Sequence, residues 1–190
     1  MSDVPTSRRH HYVGIDNSAA GRTAATLMGR FAAAKKGKLG LIAGSLSLRD
    51  HAERLFGFQQ VIGTEYTNLT PLPAAEGHDD AARCRELTVS LLKNAPDIVG
   101  IYSIGAGNRG IAEALEAAGR AGDILFIGHE LTEHSRRYLV QGTMAAIINQ
   151  DAGHEARSAA RVLLAYCSGQ PMIDDMERIR IDIFLRDNLP

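Results

Sequence analysis

Residues 97–120 read DIVGIYSIGAGNRGIAEALEAAGR: an apolar run from Asp97 to Ile104, a glycine-rich turn, then a helix-like stretch from Asn108 to Arg120. The run reads as a buried strand and the stretch after it as an amphipathic helix. Between them, Gly105-Ala106-Gly107-Asn108-Arg109-Gly110 satisfies the G-x-G-x-x-G pattern, in the strand-to-helix setting that a dinucleotide site needs. Glu130 ends the next strand, close to where a ribose-binding acid belongs. Two readings stand: a nicotinamide-dinucleotide site, or a tight turn lining another pocket. Asn108 and Arg109, bulky and polar where a pyrophosphate would pass, favour the turn.

Outward from this unit the same alternation continues. Strands are expected at Tyr12–Ile15, Lys38–Ala43, Asn68–Leu72, Asp123–Ile127, Thr143–Ile148 and Ile179–Phe184, and helices at Ala19–Ala34, Arg49–Gln60, Asp79–Lys93, Thr132–Val140 and Gly153–Ser168. In the first helix Ala20, Ala24, Leu27, Met28 and Phe31 share one face, and Asp16 or Asn17 is placed to cap it. Strands alternating with helices imply an α/β fold with a mostly parallel sheet. Ligands of such sheets bind beyond the carboxyl ends of the strands. The candidates there are Asp16-Asn17, Gly44-Ser45, Ser103 to Asn108, His129-Glu130 and Asn149 to Asp151.

The 190 residues are 45% hydrophobic and 23% charged, with a net charge of −1. That balance gives no general nucleic-acid surface, which would carry a basic excess. Cys84 and Cys167, far apart inside expected helices, read as buried free thiols. The first residues, MSDVPTSRRHHYVG, lack the apolar stretch of a secretory signal, and no apolar run approaches a membrane span, so the expectation is a cytoplasmic chain.

Other motifs fall short of chemistry. His129 to His134 resembles H-E-x-x-H, but its histidines stand at i and i+5 and point to different helix faces, so no metal site is expected. Arg8, Arg9, His10 and His11 read as a solvated basic entry segment. His51, His78 and His154 show no ligand spacing, and Asp79-Asp80 read as first-turn helix acids. No serine lies in a G-x-S-x-G elbow. No catalytic residue and no cofactor is expected.

The order of these features is itself a pattern. Tyr12 to Arg22, YVGIDNSAAGR, resembles the start of the C-terminal lobe in LacI/GalR-family transcriptional regulators and the related periplasmic sugar-binding proteins. Leu41 to Gly44 followed by Arg54-Leu55-Phe56-Gly57-Phe58 is similar to their "G … R-x-x-G-F" stretch. Phe126 to Glu130 sits where that family has a strand ending in Gly-Phe-Asp, and Ala145 to Gln150 looks like the segment returning to the N-terminal lobe. Ile179 to Pro190 resembles the closing strand and tail.

The resemblance implies a Rossmann-like parallel sheet flanked by helices, of the periplasmic-binding-protein-like type I. It divides the chain into a C-terminal lobe at 10–130, a segment of the N-terminal lobe at 142–175, and a closing strand and tail at 176–190. It implies a sugar-sensing effector domain of a regulator, a binding module with a small-molecule carbohydrate ligand and a homodimeric assembly. DNA would be read only through a helix-turn-helix that this stretch of sequence does not hold. A transport-type sugar-binding protein and a nicotinamide-dependent oxidoreductase are the alternatives. The ligand-binding residues carried over are Arg54, Glu130, His129, Gln150 and, at the first crossover, Asp3, with Ser103 or Asn108 where the family has Asn-Asp. Arginine brings a planar fork of donors and a carboxylate accepts from neighbouring hydroxyls, the pairing a sugar requires. The chain is expected to be the C-terminal part of such a domain and to bind effector weakly alone. Arg54→Ala is expected to abolish the response and leave the fold intact.

Overall fold

The computed structural model describes residues 3, 4, 6–32, 35–171 and 179–190. In chain order the elements are α1 (Asn17–Ala32), β1 (Gly37–Ala43), α2 (Arg49–Glu65), β2 (Leu69–Pro71), β3 (Ala75–Glu76), α3 (Ala81–Asn94), β4 (Ile98–Ser103), α4 (Asn108–Ala117), β5 (Leu125–His129), α5 (Glu133–Gln141), β6 (Ala146–Gln150), α6 (Ala152–Ser168) and β7 (Ile181–Phe184). All seven strands form one sheet in the order β2-β1-β4-β5-β6-β7, with β3 also on β1. Every pairing is parallel except β6 with β7, where Ile148 faces Ile183. The α/β class and the mostly parallel sheet expected from the sequence are therefore present.

Two cores lie on the two faces of the sheet. Leu39, Leu41, Tyr102, Ile127 and Ile148 pack with Ala24, Met28, Phe58 and Ile62 of α1 and α2. Ile42, Ile101, Phe126 and Ile147 pack with Ile111, Leu115, Tyr138 and Leu139 of α4 and α5, and Cys84 of α3 joins them. A strand buried on both faces needs an apolar side chain at every position, which is why β4, β5 and β6 read as runs instead of alternations. The helix pairs approach closely where Gly57 faces the Ser18 carbonyl and Gly110 faces the Ala81 carbonyl; a Cβ at either glycine would overlap that oxygen. Gly110 is thus needed for packing α4 on α3.

Several expectations change. Tyr12–Ile15 forms no strand; Asp16 instead caps α1 by accepting from the Ala19 N–H at 2.8 Å, and the stretch is an unpaired lead into that helix. Ala146 to Ile148, in the segment expected to belong to the other lobe, pair with β5 and are fully buried. Cys84 is buried, and burial pushes its thiol up to about 11, whereas Cys167 is exposed; both are free. The expected helix end at Ala34, residues Ser2 and Pro5, and positions 172–178 of the expected lobe segment and tail lie outside the described residues.

Candidate ligand-binding cleft

The strand order reverses between β1 and β4, and open α/β sheets usually bind ligands at such a switch point. Here that crevice is filled from within. Gly77 and His78 donate their backbone N–H groups to the carbonyls of Ala43 and Gly44, extending β1's edge. His78 and Asp79 then take left-handed φ values of 52° and 57°, turning the Asp79 carboxylate across the strand ends. It accepts from the Ala106 N–H at 2.7 Å and presses on Gly44 and Gly105, where a Cβ would collide with it. The His51 ring, buried and bonded through Nδ1 to Ser45, closes the other side.

This arrangement corrects one sequence expectation and favours the tight-turn reading of the glycine-rich stretch. Asp80 alone is the cap of α3, accepting from the Arg83 N–H, while Asp79 belongs to the sheet end. The Gly105–Gly110 turn already has a carboxylate on one of the N–H groups a phosphate would use. Pyrophosphate brought there would meet negative charge at contact distance, which costs more than the turn can offset. The dinucleotide reading does not fit this geometry.

The open space lies instead beyond β5 and β6. A cavity of about 830 Å³ is lined by His10, His11, Val13, Glu130, Gln150 and residues of α6 including Glu155, Ala159 and Tyr166. Glu130, the residue after β5, has a φ of 67°, a conformation that costs a side-chain-bearing residue on the order of 1 kcal/mol. Its neighbours hold it there. Its N–H donates to the Ile148 carbonyl at 3.0 Å, and its carbonyl accepts from Ser135 Oγ at 2.7 Å. The Leu131 N–H donates to Asn149 Oδ1 at 3.0 Å. The turn swings the Glu130 side chain into the cavity, where its Oε1 accepts from Gln150 Nε2 at 2.7 Å. Burial pushes this carboxyl above its ordinary value, against the pull of the Gln150 bond.

Beneath Glu130 lies a closed polar layer. Arg54 is 3% exposed; its Nε donates to Asn17 Oδ1 at 2.9 Å and its Nη1 to the Ile104 carbonyl at 3.0 Å. His129 Nε2 is 2.8 Å from the Tyr102 hydroxyl, whose ring stacks on Phe58 at 4.7 Å. Burial, then the Arg54 charge, hold His129 well below its ordinary pKa. Asn108 Nδ2 donates to the His129 carbonyl at 2.8 Å and ties α4 to β5. Ser103 is wholly buried, its Oγ 3.5 Å from the Gly105 carbonyl. Asp3 is elsewhere, its two oxygens on Arg9 at 2.6 Å.

Of the residues singled out from sequence, the structure therefore brings Glu130 and Gln150 to the cavity together. Arg54, His129, Asn108 and Ser103 are gathered just behind it, as a support for the strand ends, and Asp3 is in neither group. Glu155, His10 and His11 line the cavity and had been passed over. The two histidines read as solvated because a basic tetrad usually is; Glu155 carried only its place in the first turn of a helix, which says nothing about which way the cavity opens. Among the described residues no group of three or more metal-ligating side chains occurs.

Residues 1–171 match the family of the periplasmic binding protein domain, and the chain belongs to that family. It is 25% identical over 166 residues to the D-ribose/D-allose-binding protein of Pseudomonas aeruginosa, an alignment taking in 84% of this chain and 49% of that protein. Among solved structures it resembles GanP, a glucose-galactose binding protein from Geobacillus stearothermophilus, at a TM-score of 0.90 and 26% identity, over 99% of this chain and 66% of the other. It also resembles a Burkholderia graminis solute binding protein of an ABC transporter, solved with D-arabinose, at a TM-score of 0.91 and 24% identity, over 99% of this chain and 66% of that one. The chain thus spans about half the length of the curated relative it matches.

Proposed function

We propose that this chain supplies the larger share of a monosaccharide-binding cleft in a two-lobed binding protein and performs no covalent chemistry. The observation that carries the reading is the pairing of Glu130 and Gln150, a carboxylate and an amide side by side at the mouth of a large cavity beyond the strand ends. Such a pair accepts and donates at once, as sugar hydroxyls require. The named relatives bind sugars, and one belongs to a transporter, so the transport class has the stronger support.

The second reading, an effector domain of a LacI/GalR-type regulator, is favoured by the order of motifs from Tyr12 to Pro190. A DNA-binding part and a homodimer would then belong to the whole protein, working in the cytoplasm. Calorimetric titration of the whole protein with aldopentoses and aldohexoses tests the common core: saturable binding is expected, weakened at least tenfold by Glu130→Ala. A hydrogen bond to a charged group contributes about 1.5–3 kcal/mol, which sets that factor. No heat with any sugar, or a response to a nicotinamide dinucleotide alone, overturns it. Cell fractionation and a sugar-dependent gel-shift assay on the whole protein then separate transporter from regulator.

A further inference from the structure

Glu155 is 4% exposed, and its Oε1 has no hydrogen-bond partner. It stands in the first turn of α6, a helix of 17 residues whose cap is Asp151, accepting from the His154 N–H at 2.8 Å. The carboxylate is therefore not spent on capping, and it lines the same cavity as Glu130. A buried acceptor left without a donor costs roughly 1–3 kcal/mol, more when charged, and such groups in native proteins call for a partner. No ion pair joins Glu155 or Glu130 to any described cation. Arg54, the nearest buried cation, has two of its nitrogens committed to Asn17 and Ile104.

We infer that Glu155 is a ligand-contacting residue and that, with Glu130, it selects a monosaccharide carrying a protonated amine. This rests on the proposed sugar-binding function and narrows its ligand class. A neutral sugar hydroxyl satisfies one lone pair, but brings no positive charge to two carboxylates whose burial outweighs the pull of the Arg54 charge. Burial opposes the ionisation of both, and the Glu130 charge further opposes that of Glu155. An ammonium group placed between them supplies three donors and a positive charge, so that both carboxylates are ionised and hydrogen-bonded. His10 and His11, the other titratable groups at the cavity, come from the entering segment, and the His10 ring lies 5.2 Å from that of Tyr166.

The test titrates the whole protein with D-glucosamine and D-galactosamine against D-glucose and D-galactose, and repeats it with Glu155→Gln and Glu155→Asp, each checked for wild-type circular dichroism. The amine form is expected to bind at least tenfold tighter than its neutral parent. Glu155→Gln should erase most of that ratio and Glu155→Asp should keep part of it. Neutral sugars binding as well as amines, or a ratio unmoved by Glu155→Gln, overturns the amine selection while leaving sugar binding in place. Binding of neither class overturns both.

Discussion

Helices α5 and α6 begin alike and end differently. Each follows a strand of the same sheet and each is capped from its own sequence: Thr132 accepts from the Ser135 N–H in a reciprocal box, and Asp151 from the His154 N–H. Each has an apolar stripe. In α5 that stripe is closed, with Tyr138 and Leu139 at 0% and 1% exposure. In α6, Leu163, Leu164 and Tyr166 are 63%, 70% and 65% exposed, and Leu163 and Tyr166 form part of one wall of the cavity. Local signals start a helix, but only a packed neighbour fixes it. The difference divides the molecule into a body whose side chains hold the fold and a rim whose side chains are available to a ligand or to further protein.

The sharpest way to break this division is to treat the two stripes alike. Tyr138→Ala opens the core beneath α5 and is expected to cost about 4 kcal/mol, read as a large fall in the urea midpoint. A loss below about 1 kcal/mol would put α5 in the same class as α6. Arg54→Ala comes next. It leaves Asn17 Oδ1 and the Ile104 carbonyl buried without their donor, so roughly 3 kcal/mol should be lost. This reverses the expectation drawn from the motif, that Arg54 touches ligand and is dispensable for folding. A variant as stable as the parent but unable to bind sugar would restore it.

That reversal shows what the sequence carries and what it does not. The buried strands, the helix periods and the cap at Asp16 are local, and each was readable within a few residues. Glu130 and Gln150 were readable because strand ends in a parallel sheet all point to one edge. The rest depends on neighbours distant in the chain. Arg54 looks like a ligand fork until Asn17 and Ile104 are found on either side of it. Asp79 looks like a helix acid until two left-handed residues turn it across Gly44 and Gly105. Glu155 looks like a first-turn acid until the cavity opens beside it. Tyr12–Ile15 has strand composition and no strand to pair with.

His129 gives an intermediate effect, because it sits at the border between body and rim. Its depressed pKa means that the folded protein resists a proton which the unfolded chain takes up near pH 6.5. The stabilisation is thus complete above that pH and is lost as pH falls toward the folded value, by at most about 1.4 kcal/mol per pH unit. Glu130 and Glu155 act with the opposite sign, since raised carboxyls destabilise the fold as pH rises through their folded values. The two trends oppose each other in the acidic range, so the difference between wild type and His129→Asn isolates the histidine. Stability of the wild type relative to that variant should fall from pH 7.5 to pH 5; parallel curves would mean that the Tyr102–His129 pair accepts the proton without cost.

The smallest effect is expected where the exposed apolar area is largest. Leu164→Ser, on the open stripe of α6, removes a side chain that is 70% exposed, so little burial is lost and stability of the 190-residue chain should change by no more than about 0.5 kcal/mol. A serine in mid-helix gives up a few tenths of a kcal/mol of propensity, which sets the sign. The informative comparison is the same substitution in a longer form of the protein. There, a cost of about 2 kcal/mol would mean that the stripe is covered by further protein, as Tyr138 is covered here. Equal small costs in both forms would mean that this side of α6 stays open to solvent.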